Sequence, residues 1–274
     1  MKVADVVLRI VHAEHVIGHE EVHQRRVERL VRRLRSDGVL RNPPVVAAAG
    51  SQYVLLDGAT RVAALRELGI RDVLVQIVDY DVPGKEIHSW CHVVVGMPAA
   101  ELLKEMQGHR GLEVRPTDLL DARTSLRRRE LLSYVILRDG NVMAVEGEPG
   151  LEEQVRLLNE VVSLYGNQAQ VYRVVGDDVD ALKEEYPDLS AVVVFPCYTC
   201  GEILSTALDG SKLPMGVTRH AISGRALGLN VDLVMLESDI PLEQKNVWLR
   251  NLIRSRIKNK RVRLYPEPVF RFDE

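Results

Sequence analysis

"YVLLDGATRVAALRELG" (residues 53–69) carries a strand, a tight turn and a helix in unbroken succession. Tyr53-Val54-Leu55-Leu56 is an apolar run, Asp57-Gly58 breaks it, and a helical pattern then runs to Gly69, which ends it. A strand that turns directly into a helix N-terminus offers free backbone N–H groups and a partial positive charge, which suits phosphate. The first residue of this turn is nonetheless a carboxylate, Asp57. One reading is that Asp57 simply caps the helix. The other is that a cation sits between it and a phosphate, since Mg²⁺ takes one or two carboxylates together with phosphate oxygens.

Before this stretch, "VADVVLRIV" (3–11) reads as a strand, and a His-rich connection leads into a helix from about Glu20 to Ser36. Val27, Leu30, Val31 and Leu34 give that helix its apolar face. "LRNPPVVAAAG" is extended after its double proline, and "RDVLVQIVDY" (71–80) is a further strand. Between 82 and 126 helical patterns dominate: "EIHSWCHVV", "AAELLKEMQG" and "TDLLDARTSLRRREL". "SYVILRDGNVMAVE" then reads as a hairpin turning at Asp139-Gly140 or Gly140-Asn141. "LEEQVRLLNEVVSLYG" is an amphipathic helix, "QVYRVVG" a strand, "DDVDALKEEYP" a helix and "SAVVVFP" a buried strand. "TCGEILSTALDG" opens a helix on the capping box Thr199-x-x-Glu202. "NVDLVML" (230–236) reads as a late strand, followed by a basic amphipathic helix and an extended end.

The chain has 274 residues, 46% hydrophobic and 27% charged, with a net charge of −3. This describes an ordinary globular protein, long enough for two domains, and the charge argues against a dedicated nucleic-acid binder. No run approaches the ~18 apolar residues of a membrane span. The N-terminus lacks the pattern of a secretory leader, and three cysteines do not suggest a disulfide framework. A cytoplasmic location is the expectation. Walker A, G-x-G-x-x-G and protein-kinase catalytic-loop patterns are absent, so the usual nucleotide folds are unsupported.

The order of elements around "YVLLDGATRVAALRELG", with "DGVLRNPPVV" before it and "VLVQIVD" after it, resembles the ParB/sulfiredoxin-like nucleotide-binding domain over residues 3–80. Sulfiredoxins carry their nucleophilic Cys in this turn, where this chain has Ala59. Partition proteins carry a Glu-Arg-Arg type box, which is absent here. "VQIVDY…IHSWCHVV", "VVVFP" and "GVTRHAISGRALGLNVDL" extend the resemblance, over most of residues 3–236, to the free L-serine kinase branch.

That resemblance implies a mixed α/β fold. A small ParB/sulfiredoxin-like nucleotide domain (1–95) would join a larger α/β substrate domain (96–236), with the active site in the cleft between them and a basic helix and tail (237–274) behind. It implies phosphorylation of the hydroxyl of free L-serine by ATP or ADP with Mg²⁺, for amino-acid or siderophore precursor synthesis. Gly58, Ala59, Thr60 and Arg61 would hold phosphates. Asp57 would hold the metal, and Glu20 would be the base, although an exchange of the roles of Glu20 and Asp57 fits the sequence equally well. A Glu in the first turn of a helix is held ionised by the helix dipole, which weakens it as a base. Free serine needs partners for both its charges. Thr218, Arg219 and His220 in a turn-like segment, with Arg225 and Trp90, are the candidates.

A second reading is a ParB-like nucleotide-responsive DNA-binding regulator that uses the basic tail. The tail's more ordinary reading is a helix that packs its apolar stripe on the body. The histidines His12, His15, His19 and His23 do not share one helical face as a metal site would need. Cys197-x-x-Cys200 has the spacing of a redox motif, but there is no second pair for zinc, and the capping box Thr199-x-x-Glu202 is the better local reading. Donor identity between ATP and ADP, and the oligomeric state, are open at this level.

Overall fold

The hydrophobic periods sort the chain into strands and helices that a computed structural model arranges as two units, with residues 6–80 and 87–265 described. The first unit is formed by the described residues of Met1–Ile17, Val22–Tyr80 and Ile222–Glu274, and the second by those of Gly18–Glu21 and Asp81–Ala221.

In chain order the first unit begins with β1 (Val7–His12), a short 3₁₀ turn, and β2 (Val16–Gly18). There follow α1 (Gln24–Asp37), β3 (Val39–Leu40), β4 (Val45–Ala49), β5 (Gln52–Asp57), α2 (Ala59–Glu67) and β6 (Asp72–Val78). Five strands form a sheet in the order β1-β6-β4-β5-β2, in which β4 and β6 are parallel and the β1–β6 and β4–β5 pairs antiparallel. α1 buries Val27, Val31 and Leu34 and stops at Gly38, whose φ of 67° closes a left-handed cap.

The second unit holds β7 (Ile87–Ser89), β8 (Cys91–Val95), α3 (Ala99–Gly108), β9 (Leu112–Thr117), α4 (Leu119–Arg127), β10 (Ser133–Leu137) and β11 (Val142–Gly147). It continues through α5 (Leu151–Gly166), β12 (Gln170–Val174), α6 (Val179–Glu185), β13 (Leu189–Val194), α7 (Cys200–Leu208) and β14 (Thr218–His220). Six strands form an antiparallel sheet in the order β12-β8-β13-β10-β11-β9. α4 and α6 cover the face that carries Val93, Tyr134, Ile136 and Val192. On β8, His92 points the other way and meets Tyr165 of α5. With both faces covered, β13 reads as a continuous apolar run, and β8 departs from one only at buried His92.

The chain then returns to the first unit with β15 (Val231–Asp232), α8 (Leu233–Glu237) and α9 (Leu242–Lys258). β15 pairs with β3. α9 docks on β1, an edge strand: the Asn246 amide accepts from Ile10 N–H (2.9 Å) and donates to Ile10 C=O (2.8 Å). The edge is thereby covered where another chain could otherwise pair. Beside it, fully buried Lys245 donates to Asp72 (2.7 Å) and to the Leu236 carbonyl (2.8 Å), while His12 holds the other Asp72 oxygen.

Three sequence-based expectations are corrected. "IHSWCHVV" is not helical but supplies β7 and β8, because a strand buried on both faces has no alternation to distinguish it from a buried helix. "NVDLVML" contributes only a two-residue strand before turning into α8, where Leu233 and Leu236, three apart, are buried and Val234 is exposed. The helix expected from Glu20 starts only at Gln24, because the backbone on either side of Glu20 bonds to Leu213. The hairpin, α5 and the Thr199–Glu202 capping box form where the sequence places them. Residues 3–5 of the first strand and the extended end beyond Tyr265 lie outside the described residues. Among the described residues no helix is long and apolar enough to cross a membrane.

Candidate functional site

In the first unit the turn between β5 and α2 is built around Gly58. Its φ of 97° is open to glycine, and the Arg61 guanidinium folds so closely over it that an added Cβ would stand 3.0 Å away. The Gly58 carbonyl accepts from the Arg61 and Val62 N–H groups, which leaves the Ala59 and Thr60 N–H groups at the open end of α2. No side chain caps that end, so the plain helix-cap reading of Asp57 is set aside.

Asp57 Oδ2 instead accepts from Arg61 (2.5 Å) and from Arg225. Arg61 also donates to the Asn42 (3.0 Å) and Pro43 (3.1 Å) carbonyls. Its fork therefore ties the turn to the segment before β4. Arg225 is brought here by its loop: the Gln76 amide donates to Gly224 C=O (3.0 Å) and accepts from Ala226 N–H (2.8 Å). Burial pushes the Asp57 carboxyl up, but the two guanidiniums outweigh it and hold the group below the usual carboxylate range. Asp57 is thus an ionised group and a poor proton acceptor, with Oδ1 unbonded among the described residues.

In the second unit Glu20 lies in an extended segment beside Leu213, which bonds to the backbone of His19 and Glu21. Its carboxylate sits in a nest of neutral donors. Oε2 accepts from Gly216 N–H (3.0 Å), and Oε1 from the Thr218 N–H (2.7 Å) and hydroxyl (2.6 Å). The dipole argument for a first-turn Glu therefore does not apply. Because Thr218 gives its one hydroxyl proton to Glu20, it accepts from His19 Nε2 (2.8 Å), and His220 Nε2 lies 3.3 Å from the same nitrogen.

Thr218, Arg219 and His220 form strand β14, paired with β7, and not a turn. The pairing sets Arg219 over the half-buried Trp90 ring at 5.4 Å, a cation–π contact. Thr218 thus bonds to Glu20 and His220 meets His19 beside it, whereas Arg219, between them on the strand, alternates to the other face and meets Trp90. Arg225, in the first unit, bonds to Asp57. Nothing in the sequence singled out Gly216 or Gln76, and His19 drew notice only as one of four clustered histidines, because their partners come from distant segments.

Among the described residues no three His, Cys, Asp or Glu side chains converge on a metal site, and no disulfide joins Cys91, Cys197 and Cys200. A cation at Asp57 would take Oδ1 and complete its shell with phosphate and water, which suits Mg²⁺.

No protein-family model matches the chain. The ATP-dependent L-serine kinase SbnI of Staphylococcus aureus is 27% identical over 267 residues, covering 96% of both chains. The chain is a homologue of ATP-dependent L-serine kinases. Another such relative, from Staphylothermus marinus, is 25% identical over 78% of this chain and 84% of its own length. The fold agrees with a solved free serine kinase variant in complex with ADP, at a TM-score of 0.70, 22% identity, and coverage of 86% of this chain and 95% of that one.

Proposed function

We propose that this protein is a kinase that transfers the γ-phosphoryl group of ATP to the hydroxyl of free L-serine, giving O-phospho-L-serine and ADP. The single observation that carries the division of labour is the contrast between its two carboxylates. Asp57 is held by two arginines, whereas Glu20 is held by two N–H groups and a hydroxyl, all neutral. Glu20 is therefore the base. It orients the serine hydroxyl and takes its proton as oxygen bonds to phosphorus and the bond to the ADP oxygen breaks. Phosphoryl transfer asks for positioning and charge stabilisation more than for a strong base, so a well-hydrogen-bonded carboxylate suffices.

The Ala59 and Thr60 N–H groups, the Thr60 hydroxyl and Arg225 receive phosphate oxygens. Arg61 holds the turn in shape and adds its charge. Asp57 holds Mg²⁺, which when bound neutralises charge on the phosphates. Arg219 pairs with the serine carboxylate, Trp90 backs it, and Thr218 and His220 complete the acceptor side.

The DNA-regulator reading is not favoured. The similarity to the Staphylococcus aureus serine kinase runs across 96% of the chain, and α9 commits Lys245, Asn246, Leu249 and Arg256 to its own unit. The deciding experiment incubates the protein with Mg²⁺, ATP and L-serine and follows phosphoserine by mass. Product that disappears in Glu20→Gln, with ADP binding retained, supports the proposal; absence of product in the wild-type protein sinks it.

A further inference from the structure

We infer that His92 is a positioning residue for Glu20, acting through the backbone of Gly216. The inference rests on the proposed role of Glu20 as base.

His92 lies on β8 and is 2% exposed. Its ring lies edge-on to Phe195, with centroids 4.8 Å apart, and both nitrogens are spoken for. Nδ1 stands 2.8 Å from the Tyr165 hydroxyl and Nε2 stands 3.1 Å from the Gly216 carbonyl. A carbonyl can only accept, so Nε2 carries the proton; Nδ1 is then the acceptor of the Tyr165 O–H. Burial, with help from the Arg173 charge and against the Gly216 bond, lowers the His92 pKa to about 4, so the ring is neutral at ordinary pH. A fixed tautomer thus donates to Gly216, and Gly216 N–H donates to Glu20 Oε2 at 3.0 Å.

Gly216 needs such an anchor. Its φ of 77° is in the left-handed region, and a Cβ there would lie 2.5 Å from Arg173 Nε, so the position is restricted to glycine. A glycine in an open turn resists rotation weakly. Arg173, paired with His92 across β12 and β8, closes one side of the turn, and the His92 bond fixes the other. The N–H groups of Gly216 and Thr218 then hold one carboxylate at two oxygens. Loss of the anchor frees that carboxylate to rotate. Partners that orient the ligands of metal sites typically change activity by about 10–100-fold when lost, and a group that orients a catalytic carboxylate is expected to act on the same scale.

The test compares His92→Leu, His92→Gln and Tyr165→Phe. Gln keeps a donor within reach of the Gly216 carbonyl, while Leu keeps only bulk. His92→Leu is expected to lower kcat by roughly 10–100-fold, with the KM for serine and the Kd for ADP within about twofold of wild type. His92→Gln is expected to recover most of that loss, and Tyr165→Phe to show a smaller loss. Amide hydrogen exchange at Gly216, read independently of activity, is expected to accelerate in His92→Leu and not in His92→Gln. ADP bound at saturation counts the folded molecules, so lost fold is separated from lost turnover. Wild-type kcat per folded molecule in His92→Leu overturns the inference, as does an equal loss in the Leu and Gln variants. If the wild-type protein makes no phosphoserine, the kinase reading fails, and the Gly216 exchange rates still decide whether His92 anchors this loop.

Discussion

Asp57 and Glu20 show how the same functional group is given different work by its neighbours. Two guanidiniums lower the Asp57 pKa against burial, so the carboxylate stays ionised and accepts protons poorly. Asp57→Asn is expected to weaken nucleotide binding in the presence of Mg²⁺ by tenfold or more, measured by calorimetry, with much less effect when Mg²⁺ is omitted. Glu20→Gln, in contrast, is expected to lower kcat by roughly 10²–10⁴ while ADP affinity holds. The reverse pattern would exchange the two roles. Gly58→Ala places a methyl 3.0 Å from the Arg61 guanidinium at a φ of 97°. It is expected to cost roughly 1–3 kcal/mol of stability by thermal melting and to weaken nucleotide binding. The sequence already marked Asp57, Gly58 and Arg61, because a strand–turn–helix junction is local. It did not reveal that Arg61 folds back onto the turn or that Arg225 comes to Asp57, because both depend on carbonyls and an amide supplied by Asn42, Pro43 and Gln76.

At the scale of the element, the lesson lies in where periodicity fails. α5, with Val155, Leu158, Val161 and Tyr165 buried on one side, and the hairpin of β10 and β11 were legible because their surroundings differ between faces. β7, β8 and β14 were not. A strand covered on both sides, and a three-residue strand paired to one far along the chain, leave no periodic trace. α9 was legible as a basic amphipathic helix, but its partners were hidden. Lys245→Ala would leave Asp72 buried without its cation, and is expected to cost about 3–5 kcal/mol in urea unfolding. Asn246→Ala, which strips the Ile10 N–H and C=O of their partners, is expected to cost about 1–3 kcal/mol. Wild-type midpoints in both variants would show that α9 contributes little to its unit.

For the molecule as a whole, His92 couples stability to pH. Its pKa in the folded state, about 4, lies below the ordinary 6.5, so the unfolded chain binds the proton more tightly. Stability from this group is therefore complete above pH 6.5 and is lost as pH falls towards 4. The full span is worth about 3 kcal/mol. Wild-type protein is expected to melt at progressively lower temperature from pH 7 to pH 5, and His92→Gln to show a flatter profile across that window. Identical slopes in the two proteins would place the acid sensitivity elsewhere.

The return of residues 222–265 to the sheet begun by residues 7–12 also has a consequence for how the protein is made. A nascent chain emerges N-terminal end first, and single domains fold as units during synthesis. The six-stranded sheet draws all its strands from residues 91–194, so its parts are all present before α9 is made. The five-stranded sheet has its strands early, yet β1 waits for Asn246, and Asp72 for Lys245, until α9 leaves the ribosome. During that interval a bare strand edge and a buried carboxylate lacking its cation coexist. The nascent first unit is thus the stage at which a ribosome-associated chaperone has most to protect.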